Sequence, residues 1–80
     1  MTVRRFLVGQ VWQVQDGGRR AWYMVRAVGY SSWSGRVCVS WQRVVRKGKG
    51  WRLGRSEEFW NWFDKFPGDD AVLVTEEVTL

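Results

Sequence analysis

The chain has 80 residues, a net charge of +5, one cysteine and no histidine. That length makes a single domain, one that buries only roughly 60% of its unfolded surface and must fill a marginal core with large side chains. A lone Cys38 excludes an intrachain disulfide framework, and no apolar run of about 18 residues offers a membrane span.

Seven Trp, four Phe and two Tyr supply the bulk that a small core needs. Without disulfides the expected setting is reducing and cytoplasmic. The apolar start around Phe6-Leu7-Val8 is too short for a signal-peptide core of about 7–15 residues. Charge is divided unevenly. Residues 1–55 carry twelve Lys or Arg against one acid, Asp16, and so +11; residues 56–80 carry one Lys against seven acids, and so −6. Such asymmetry points to a polyanion site, an acidic interaction tail, or both.

In chain order, Gln10–Gln15 alternates Trp12 and Val14 against Gln13 and Gln15, as a strand does. Asp16-Gly17-Gly18 is a hairpin turn, because Gly accepts positive φ without steric cost. Ala21–Tyr30 is apolar on both faces apart from Arg26, which suits a strongly curved sheet. Ser31–Gly35 is a loop. Arg36–Arg46 sets Val37, Val39 and Trp41 against Cys38, Ser40 and Gln42, the clearest two-residue period in the chain. Lys47–Gly50 is a second turn, and Trp51–Arg55 a short fourth strand. Ser56 can cap a helix over about 57–66. Glu57 and Glu58 would sit at its positive end, and Phe59, Trp62, Phe63 and Phe66 would form one helical stripe that plugs the sheet. Pro67-Gly68 fits a type II turn, and Ala71–Thr75 a fifth strand. Even turn spacing between short strands predicts a mainly β protein: a five-stranded SH3-like or OB-like barrel with one short helix, forming a single domain over residues 1–80 with an acidic C-terminal segment.

Catalytic chemistry is thin. Without His, the commonest general base and the commonest neutral metal ligand are both missing. Cys38, in mid-strand with no evident base, reads as structural. Asp64, Asp69 and Asp70 read as a solvated turn rather than an acid pair, and Gly48-Lys49-Gly50-Trp51 lacks phosphate-loop spacing. No catalytic residue, metal site or cofactor is expected.

Binding chemistry is richer. Arg43, Arg46, Lys47, Lys49, Arg52 and Arg55 fall on one expected hairpin, where they can neutralise phosphates and release counterions. Arg4, Arg5, Arg19, Arg20, Arg26 and Arg36 add charge elsewhere. Trp41 and Trp51 either stack on unpaired bases or fill the core; the apolar partners of Trp41 on its own face favour the core. Trp33, in a Ser/Gly loop, either folds back over the sheet or stands out as an interaction anchor. Trp60 lies off the expected helical stripe. The acidic positions Asp69, Asp70, Glu76 and Glu77, with Val78 and Leu80 beyond, could dock on the basic hairpin, on a second copy, or on another protein.

The run Gly9-Gln10-Val11-Trp12, the DGG turn and then Trp22-Tyr23-Met24-Val25-Arg26-Ala27-Val28 resemble the opening of small SH3-like barrel proteins of bacteria, phages and other mobile elements. The resemblance implies a compact barrel with a non-catalytic role and carries over no functional residue. The expectation is a module that binds nucleic acid non-specifically through the basic hairpin. Its rival is a mobile-element protein that occludes a host protein through Trp33, Trp60 and the acidic tail. A homo-oligomer is compatible with either.

Overall fold

A computed structural model describes residues 6–62, 65–68 and 70–74. The described chain is mainly β and holds six antiparallel strands: β1 (Val11–Asp16), β2 (Arg19–Tyr30), β3 (Val37–Lys47), β4 (Gly50–Leu53), β5 (Phe59–Trp62) and β6 (Val72–Leu73). Their order is β4-β3-β2-β1-β6, with β5 paired to β3. Among the described residues these pairings do not close into a ring. β1 to β4 form a meander, because each of the two hairpin turns spans two residues. Gly17 and Gly18 both have positive φ (58° and 82°), the type I′ pattern whose twist matches that of the flanking strands. The second hairpin closes at Lys47 opposite Gly50.

The core lies on one face. Trp12, Val25, Val39 and Trp41 point into it, with Phe6 packed on Trp12 and Trp41 at centroid distances of 5.2 and 5.4 Å. Phe66 is the hub of its other half. Its ring meets Tyr23, Trp41 and Phe59 edge-on at 5.1–5.3 Å, a geometry that adds about 0.5–1.5 kcal/mol per pair beyond area burial. Trp41 is therefore core, as its alternation with Val37 and Val39 implied.

The segment expected as a helix is not one. Phe59–Trp62 is a strand, and among the described residues there is no helix. The register sets Trp41 against Phe59, Ser40 against Trp60, Val39 against Asn61 and Cys38 against Trp62. Two physical effects favour this outcome. The first half of β3 would otherwise leave a row of backbone groups without ladder partners on that edge. A lone helix of about ten residues, rich in aromatics of modest helix propensity, is also marginal in water. The helical stripe is accordingly divided. Phe59 and Phe66 reach the core, Trp62 faces the other way, and Phe63, its fourth member, lies outside the described residues.

β2 carries a one-residue register shift at Arg26. Val25 pairs with Trp41, and the next pair is Ala27 with Ser40. This is a β-bulge, which bends a strand and increases its twist. Before it, even-numbered residues of β2 leave the core face; after it, odd-numbered ones do.

Candidate functional site

The six hairpin cations are all exposed. The β3–β4 register pairs Val45 with Arg52 and Arg46 with Trp51. Because paired positions share a face, Arg43, Lys47 and Arg52 belong to one face of the ribbon and Arg46 to the other. Lys49 sits in the turn and Arg55 just past β4. The backbone N–H of Gly54 donates to the Arg43 carbonyl at 2.7 Å, which carries the ladder one residue beyond β4. The hairpin thus keeps the six residues within one small element, but wraps them around it.

Arg46 is not bare charge. Its guanidinium carbon lies 5.0 Å from the centroid of the Trp51 ring, within cation–π range. Trp51 in turn lies 5.9 Å from Trp22 on β2. Both indoles are half-buried, and Val44, on the same face of β3, is covered. Trp51 therefore belongs to a second, outer aromatic layer, which neither the core nor the base-stacking expectation for it had described.

The other end of β3 repeats the arrangement on the same face. The Arg36 guanidinium lies over the Trp62 ring at 4.3 Å. Cys38, Trp60, Asn61 and Trp62 line an open groove of about 290 Å³. Trp60 is 56% exposed yet well seated. A Cβ added to Gly29 would stand 3.3 and 3.6 Å from two atoms of its six-membered ring and 3.2 Å from Cys38 Sγ, so the indole rests against bare backbone. Cys38 is a half-buried free thiol within this packing. Trp33, at the tip of the 31–35 turn, is 97% exposed and does not fold back over the sheet.

The acidic candidates are only partly placed. Asp70 is exposed; Asp69, Glu76 and Glu77 lie outside the described residues, as do Arg4, Arg5 and Asp64. The tail leaves from Val74, whose N–H donates to the Val11 carbonyl at 2.9 Å. It therefore starts beside β1, at the end of the strand order opposite the basic hairpin. Among the described residues no group of three or more His, Cys, Asp or Glu side chains could hold a metal ion. No described helix is long and apolar enough to cross a membrane.

Sequence reasoning missed the pairing of Arg36 with Trp62 and the role of Gly29. The alternation Arg36-x-Cys38-x-Ser40-x-Gln42 marked the outer face of β3, but placing Trp60 and Trp62 on that face required β5 to be read as a strand. Compared with protein-family models, with curated proteins and with solved structures, the chain matches none.

Proposed function

We propose that this chain is a small non-enzymatic binding module that holds nucleic acid without sequence preference, with Arg43, Arg46, Lys47, Lys49, Arg52 and Arg55 on phosphates. The observation that carries the reading is that all six are exposed on one hairpin. Wrapping the charge around a narrow ribbon suits a polyanion, whose own charge is distributed along a rod or a flexible strand. The meander of β1 to β4, with β6 returning to β1, supports a partly open SH3-like barrel over the Greek-key arrangement of an OB-fold.

The test is binding as a function of salt. The logarithm of affinity should fall linearly with the logarithm of salt concentration, by about 0.7–0.9 per phosphate contacted. Replacing Lys47 and Lys49 with Ala should make that slope shallower by up to about two. Folding should be little affected, since both residues are exposed at the hairpin tip. Absence of salt-sensitive binding at low ionic strength would overturn the reading.

A second reading has its own observation in its favour. Trp33 is 97% exposed and Trp60 is 56% exposed, and exposed Trp is typical of interface hot spots. In this reading the chain is a mobile-element protein that occludes a host protein, the Lys pair is silent, and Trp33→Ala abolishes capture of the partner.

A further inference from the structure

We infer that the sheet face opposite the core is a stacking surface for single-stranded nucleic acid, with Trp60 as the platform for an unpaired base. The inference rests on the nucleic-acid reading above and names its substrate class.

Three observations converge on this face. The first is preorganisation. An exposed Trp normally samples several rotamers, and ordering it on binding costs affinity. Trp60 is held because its ring lies on Gly29 and beside Cys38 Sγ, while more than half of its surface stays open. The second is size. The groove of about 290 Å³ between Trp60 and Trp62 is at or below the small end of ligand sites, about 300 Å³. It has room for one planar base rather than a folded partner. The third is charge. Arg36 lies over Trp62 at one end of β3 and Arg46 over Trp51 at the other, so each aromatic cluster carries a cation at its rim. The Arg46 guanidinium, exposed over its indole, presents a fixed fork of donors suited to phosphate. Alternation of planar aromatic and cationic groups matches a strand whose bases and phosphates also alternate.

The same geometry disfavours duplex. In a duplex the base faces are occupied by their neighbours, so Trp60 would have nothing to stack on. Twelve of the thirteen Lys and Arg residues fall within residues 1–55, and this favours a polyanion over a neutral sugar.

The experiment compares a short, fluorescently labelled oligothymidine with a labelled mixed-sequence duplex of equal length, by anisotropy across a salt series. The intact chain should bind the single strand more tightly than the duplex. Trp60→Ala should weaken single-strand binding about 5- to 150-fold, the range that one base–aromatic contact supports. Its duplex affinity and salt slope should stay unchanged, because no charge is removed. Trp60→Leu keeps apolar bulk over Gly29 and should show the same loss, which separates stacking from packing; a thermal melt of each variant checks the fold. Equal affinity for single strand and duplex, or full single-strand affinity in Trp60→Leu, overturns the inference and leaves the hairpin reading standing. No salt-sensitive binding to either probe overturns both.

Discussion

Gln10 shows how much a single polar side chain can organise in a domain this small. It is 93% buried, and its Oε1 accepts from the Leu7 N–H at 2.9 Å and from the Trp12 indole N–H at 3.2 Å. Its backbone is engaged as well: the carbonyl accepts from Val25 N–H at 2.8 Å, and its N–H donates to the Leu7 carbonyl at 3.1 Å. These bonds tie the turn that carries Phe6 to the first two strands and fix the Trp12 ring against which Phe6 packs. Gln10→Ala keeps the backbone bonds and removes the acceptor shared by the part-buried Leu7 N–H and the buried Trp12 indole N–H. The expected cost is about 1–3 kcal/mol, a fall in melting temperature of several degrees or more, measurable by thermal denaturation. The sequence marks Gln10 only as the polar start of an alternating strand, because a buried amide and a solvated one look alike until their partners are placed. Trp41 is the opposite case. Two valines on its own face declare it as core, and the fold agrees.

At the scale of elements, the strands were legible and the capping segment was not. β1, β2 and β3 begin and end within two residues of where alternation and turn chemistry put them. Both Gly-rich hairpin turns lie where positive φ is needed. β5 was illegible because Phe59, Trp62, Phe63 and Phe66 satisfy a helical spacing, while the strand reading divides the aromatics between two faces. That division makes sense only once β3 is known to have an open edge on that side. The two alternatives place Trp62 differently and give different mutational patterns. Phe59 packs edge-on against Tyr23 at 5.8 Å and Phe66 at 5.3 Å. Phe59→Ala should therefore cost about 3 kcal/mol, the low end for a buried Phe, since Phe59 is only half-buried. Trp62→Ala, on the outer face, should cost clearly less, although it removes the larger side chain. Chemical denaturation of the two variants reads the difference, and a larger loss for Trp62 would restore the helix. The candidate site shared this fate. The hairpin cations were readable as a cluster from their spacing alone, whereas the pairing of Arg36 with Trp62 depends on strand register, which no local pattern encodes.

For the molecule as a whole, most of the positive charge lies in a single meander, and every acidic residue but Asp16 enters after it. The strand order places the root of the C-terminal tail at the β1 end and the basic hairpin at the β4 end. What holds the two faces in phase is the bulge at Arg26. On either side of it the β2–β3 ladder is regular; Arg26 is the one residue of β2 within that ladder with no opposite number. A chain lacking Arg26 would keep every one of those pairs and lose only the bend. The expected product is a straighter sheet with a less enclosed core. Its circular dichroism should remain β-rich while its melting temperature drops, whereas deleting the neighbouring Val25 removes a core side chain and should prevent folding. Curvature in this protein is then a countable quantity: one surplus residue on the second strand decides which side of the sheet Gly29 occupies. Were Arg26 drawn into the ladder opposite Ser40, Val28 would pair with Cys38 and stand where Trp60 now lies flat.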